Sequence, residues 1–312
     1  MLFRFNRVVL VFAAAVVLGS GLRPLAGEAL AVEVVPIPLG DPLAGPSARV
    51  AVLVPKVYET NGDSRFRVLY VLPVEPDGQK QKRFGDPLAV IESLGLHDKH
   101  GLICIAVHYD ETTWLGDHAA DPRHRHATHM VEAVVPFVDG RYRTVKSAEG
   151  RLLLGFSKAG WAAVTLILRH GDTFGVGASW DAPLMFTDKQ FGIWKTDVQY
   201  GTPAAMAAQL PTTLLRQHAG EFRDRPRLVI AGSKLFGTFT DKNFPYDGPS
   251  QTEAFHELAD EQDVSHVYEP EIRAEHTWNK KWLGPVVDRL LEIAPQAHGV
   301  GAAEVRDEEP GL

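Results

Sequence analysis

Ser157 stands at a junction built for chemistry. The segment Leu152-Leu153-Leu154-Gly155-Phe156-Ser157-Lys158-Ala159-Gly160-Trp161 runs an apolar strand pattern into a serine flanked by small residues, and a helical pattern begins at once. Strand, sharp turn and helix are the context of a nucleophile elbow, in which the turn lifts the hydroxyl clear of the backbone. The usual G-x-S-x-G pattern is altered here: Ala159 holds its last position and Gly160 follows one place later. Serine also caps helices, but the flanking strand and helix favour a nucleophile for acyl transfer.

A serine needs a base and an oriented carboxylate to act at neutral pH. Where an elbow supplies the nucleophile, the chain order is serine, acid, histidine. Of the thirteen histidines, His276 in Arg273-Ala274-Glu275-His276-Thr277-Trp278 lies in a loop before the last helical pattern. His256 falls inside a helical pattern, and His266 opens the strand-like SHVYEP. The acid has two candidates. The loop after the apolar run Arg227 to Ala231 carries no carboxylate until Asp241, whereas Asp181 follows directly on the run after the nucleophile helix. Asp181 is the preferred acid and Asp241 the alternative. The oxyanion donors are expected to be the backbone N–H of Lys158 and that of Val74 or Glu75, because Pro73 has no N–H.

The elements that must position these groups alternate along the chain. Short apolar runs at Arg49 to Val54, Arg67 to Leu72, Leu102 to Val107, Arg151 to Gly155, Phe174 to Ala178 and Arg227 to Ala231 read as buried strands. Helical patterns span Pro87 to Leu94, His126 to Val138, Ala159 to His170, Gln251 to Gln262 and Pro285 to Ile293. Alternation of this kind predicts an α/β fold with a mainly parallel central sheet and helices on both faces. Val32 to Ser47, rich in proline and glycine, reads as a surface lead-in, and Asp181 to Asp224 as an insertion at the rim of the site.

The bulk numbers narrow the function. A net charge of −7 argues against a nucleic-acid partner. Arg4 and Arg7, the apolar run Val8 to Leu18 and Ala29-Leu30-Ala31 form a signal-peptide pattern. The expectation is a cleaved signal over 1–31, a domain over 32–295 and a disordered polar tail over 296–312. The mature protein would be periplasmic or secreted, with no stable membrane span. The single cysteine, Cys104, sits in an apolar run and reads as an inert core thiol. His118, His124, His126 and His129 cluster without a further ligand pattern and read as loop residues rather than a metal site. Trp180 and Trp278, beside the acid and the histidine, are candidates to stack on a substrate ring.

With these residues in place, the chain resembles the putative esterase family of α/β-hydrolases, which includes esterase D-like enzymes, feruloyl and acetylxylan esterases, enterochelin esterases and mycolyltransferases. The similarity runs from about Arg67 to Leu291 and is strongest over VVPFVDGRYRT, LLLGFSKAGW and FGVGASWDAP. The resemblance implies the α/β-hydrolase fold, a small-molecule or carbohydrate-linked ester or thioester substrate, and no metal or organic cofactor. Two positions depart from the family pattern. Pro73-Val74 replaces a histidine-glycine pair, and the customary acid loop has no carboxylate at its start. A serine ester hydrolase is the expectation. A peptidase or acyltransferase on the same fold, or a non-catalytic binding protein, are the alternatives.

Overall fold

The computed structural model describes residues 33–37, 45–60, 62–76, 83–111, 114–232 and 248–296. Residues 1–31 and the tail from 297 onward, and with them the expected signal and most of the expected polar tail, lie outside the described residues, as does Asp241.

Among the described residues, eight strands form one sheet in the order β1-β2-β4-β3-β5-β6-β7-β8. They are β1 (Glu33–Pro36), β2 (Ala48–Leu53), β3 (Arg67–Val71), β4 (Leu102–Tyr109), β5 (Arg151–Phe156), β6 (Val176–Trp180), β7 (Leu228–Ala231) and β8 (Val267–Glu269). β2 runs antiparallel to both β1 and β4, and every other neighbouring pair is parallel. The apolar runs of β5 and β6 are buried along their whole length, as strands covered on both faces require. The architecture is therefore the α/β-hydrolase fold anticipated from the alternation of patterns.

Four helices matter most for the site: α1 (Pro87–Ser93), α2 (Lys158–Arg169), α3 (Gly248–Glu261) and α4 (Lys280–Ile293). Helix α2 packs on β5 and β6, and α4 on β6 and β7. Three local features differ from the sequence expectation. The lead-in is partly a strand: β1 pairs Glu33 with Val52 and Pro36 with Arg49, a register that tolerates proline because the strand lies at the sheet edge. Helix α4 starts at Lys280 rather than at Pro285. The Asn279 side chain accepts a hydrogen bond from the Lys281 N–H and caps the helix, leaving Pro285 inside it. The helix expected over His126 to Val138 instead runs on to Arg141, with a π turn at Met130–Val134 just before Pro136. Among the described residues no helix is long and apolar enough to cross a membrane.

The sheet has a topological switch at β3. The chain moves from β3 to β4 on one side and returns to β5 on the other, so the loops leaving β3 and β5 diverge at their carboxyl ends. In α/β sheets that crevice is where ligands bind.

Candidate active site

The parallel register brings the site together. Phe156, the last residue of β5, pairs with Trp180, the last of β6, and Trp180 pairs with Ala231, the last of β7. Ser157 and Asp181 each follow directly and leave the sheet side by side. The Ser157 N–H donates to the Trp180 carbonyl at 3.1 Å, and the Asp181 N–H to the Ala231 carbonyl at 2.9 Å.

Both residues sit in strained backbone. Ser157 has φ 54° and ψ −130°, and Asp181 has φ 51°. Such a conformation for a side-chain-bearing residue persists only where the surrounding structure holds it, and it clusters at functional sites. The turn at Ser157 is so tight that a Cβ added at Gly155 would lie 2.1 Å from the Ala159 carbonyl oxygen. At Gly160 an added Cβ would lie 2.7 Å from the Ser179 hydroxyl and 2.8 Å from the Ala182 Cβ. Glycine is thus required at 155 and 160, whereas Ala159 fits with its side chain fully buried. The altered motif is explained by where the helix meets its neighbours.

His276 lies in the loop between β8 and α4. Its Nδ1 is 2.7 Å from Asp181 Oδ2; the carboxylate is completely buried and the imidazole side chain is 19% exposed. Phe156 meets the imidazole edge-on at 5.0 Å, so the ring rests against the residue that precedes Ser157. Ser157 itself keeps 8% of its surface exposed. Donation from His276 Nδ1 to the carboxylate fixes the tautomer and puts the ring's lone pair on Nε2.

The expected substrate tryptophans are packed among other aromatic rings. Trp180 is fully buried and stacks on Trp282 at 4.7 Å with ring planes 4° apart. Trp278 is 4% exposed and meets Phe156 at 4.8 Å and Trp282 at 5.3 Å. Together they seat the N-terminal turn of α4 on β5 and β6, which holds the His276 loop over Asp181. Residues not singled out in the sequence complete that seat. Phe84 packs against His276 at 6.2 Å, and its carbonyl accepts the Trp278 N–H at 2.7 Å. Its only sequence signal was the turn Gly85-Asp86-Pro87 that follows and opens α1.

Val74 and Glu75 leave β3 beside the elbow, in keeping with the pairing of Val71 with Leu154 and the bond from the Leu72 N–H to the Leu154 carbonyl. Val74 is buried. The Lys158 ammonium donates to Glu75 Oε1 at 3.0 Å, with the two side chains 7% and 20% exposed. This ion pair ties the first turn of α2 to the loop after β3, the two segments expected to donate to an oxyanion.

Residues 44–228 match the family model described as "Putative esterase". The chain belongs to that family. No curated protein matches the sequence. Among solved structures, this esterase-family chain is similar to FphF, a fluorophosphonate-binding serine hydrolase of Staphylococcus aureus, at 15% identity and a TM-score of 0.61 over 85% of this chain and 99% of that one. MPT51 of Mycobacterium tuberculosis is similar at 15% identity and a TM-score of 0.61, covering 86% and 100%. An S-formylglutathione hydrolase from Agrobacterium tumefaciens gives 13% and 0.61, covering 84% and 95%. At these identities the likeness is one of fold. Family and fold together make the chain an esterase-family member with the α/β-hydrolase fold.

Proposed function

We propose that this protein is an exported carboxylic ester hydrolase that works through Ser157, His276 and Asp181. The single observation that carries the reading is the 2.7 Å hydrogen bond between His276 Nδ1 and the buried Asp181 carboxylate, next to a serine in strained elbow geometry. A carboxylate completely buried against a loop imidazole, beside a serine at φ 54° and ψ −130°, is the arrangement that acyl transfer requires.

In this mechanism Ser157 Oγ attacks the ester carbonyl carbon while His276 Nε2 takes the hydroxyl proton. Asp181 holds the ring and stabilises the imidazolium that forms. The N–H groups of Lys158 and of Val74 or Glu75 receive the charge that develops on the carbonyl oxygen, a contribution worth about 2.7–4 kcal/mol per donor in comparable sites. His276 then passes the proton to the departing alkoxide, and water resolves the acyl-enzyme by the same route in reverse. The substrate class that fits is a small-molecule or carbohydrate-linked ester. Ferulic acid esterases are among the similar structures.

Export is part of the proposal and rests on the charged, apolar and small-residue sequence of 1–31. Hydrolysis of short p-nitrophenyl esters tests the activity: turnover by the wild type that disappears in Ser157→Ala supports it, and turnover retained in the variant contradicts it.

A further inference from the structure

A second cluster of chemistry-bearing side chains lies at the other end of the sheet from Ser157. His266 immediately precedes β8, at the amino end of that strand, whereas Ser157 and Asp181 follow the carboxyl ends of β5 and β6. His256 and Asp260 are one turn apart on α3 and share a face of the helix. We infer that His256, Asp260 and His266 form a binding site for a divalent transition-metal ion such as zinc, clamping α3 to the edge strand β8.

The donor atoms already converge. His256 Nδ1 is 2.8 Å from His266 Nε2. Asp260 Oδ2 is 3.6 Å from His256 Nε2, and Asp260 Oδ1 is 4.0 Å from His266 Nε2. One donor atom from each residue lies within 4.8 Å of the other two. Ligand atoms on a tetrahedral zinc are about 3.3 Å apart, given Zn–N bonds of about 2.0 Å. The two rings must therefore part by roughly half an ångström to admit the ion. Asp260, 63% exposed, has room to swing onto it.

The surroundings orient these groups as a metal site requires. His266 Nδ1 donates to the Val264 carbonyl at 2.8 Å, which fixes the tautomer and leaves Nε2 as a lone pair facing His256. A ring that gives one N–H to a backbone carbonyl and keeps a lone pair on its other nitrogen is the usual state of a metal-binding histidine, and the ion would take the place of the His256 N–H that meets this lone pair at 2.8 Å. The His266 side chain is 4% exposed, so its aim is set by packing. The His256 ring is fixed in turn by stacking on Tyr268 of β8, at 4.2 Å with ring planes 17° apart. Two imidazoles and one carboxylate favour zinc, copper or nickel over calcium or magnesium, which prefer all-oxygen sites. Three protein ligands leave a coordination position for water. β8 is three residues long and pairs with one neighbour at the edge of the sheet, so a clamp to α3 would reinforce it.

Calorimetric titration of the whole protein with zinc chloride, paired with thermal melts, tests the site. The expected result is about one equivalent bound, with a higher Tm, and affinity reduced at least about tenfold in Asp260→Asn and in His256→Gln. Asp260 is exposed, so its variant keeps the fold and separates ligation from misfolding. Ester hydrolysis in Asp260→Asn should match the wild type. Absence of binding by the wild type, or equal affinity in both variants, overturns the inference.

Discussion

The Asp181 carboxylate holds the His276 imidazole through a 2.7 Å hydrogen bond that spans 95 residues of chain. Asp181 follows β6, one strand earlier than the loop after β7 where the family pattern puts an acid. Adjacent strand ends make the two positions nearly equivalent for reaching one imidazole.

Replacing Asp181 with asparagine should preserve the fold and lower kcat by about 10⁴-fold, because the imidazole loses the partner that sets its tautomer. Asp241→Asn should remain within a few-fold of the wild type. Steady-state hydrolysis of p-nitrophenyl esters by the two variants decides between them. Loss confined to Asp241→Asn would reassign the acid.

The strain at Ser157 predicts an asymmetry between two inactive variants. At φ 54° and ψ −130° glycine pays no steric penalty, whereas alanine keeps the Cβ clash. Ser157→Gly should therefore be more stable than Ser157→Ala by about 1–3 kcal/mol, measured by urea unfolding. Equal stabilities would mean the turn is relaxed.

The Lys158–Glu75 pair is a test of how the oxyanion loop is held. Lys158→Met removes the ammonium from a largely buried carboxylate and should cost roughly 3 kcal/mol of stability. If the pair aligns the two donor segments, kcat should also fall, by about a hundredfold, with little change in KM. The double variant with Glu75→Met should recover much of the stability.

Much of this arrangement was legible in the sequence. The buried strands announced themselves as uninterrupted apolar runs, and the elbow as a serine between a strand and a helix. Asp181 stands out in the sequence because it directly follows the strand after the nucleophile helix. Other features depended on tertiary contacts. β1 was masked by its proline-rich setting, since only pairing with β2 makes the segment a strand. Pro285 looked like a helix start, and Asn279 capped the helix a turn and a half earlier. Trp180 and Trp278 lie beside the acid and histidine in sequence, but ring stacking with Trp282 decides which way they face. Phe84 had no residue-type signal at all, because its contribution is a ring edge and a carbonyl.

Acid should destabilise the protein through His129. Burial, and the charge of His126 nearby, depress its pKa to about 4. The unfolded chain titrates near 6.5, so between about pH 6.5 and 4 the unfolded state binds the extra proton and stability falls as pH drops. Below the folded pKa this contribution levels off. His129→Gln, which stays neutral, should show a smaller fall in Tm between those limits. An unchanged fall would remove His129 from the account.

The most direct measurement is active-site labelling of the folded protein with a fluorophosphonate, followed by peptide mass spectrometry. The account predicts a single adduct on Ser157, abolished in Ser157→Ala and strongly reduced in His276→Ala. A folded wild type that takes no label, or one labelled at another serine, would contradict it.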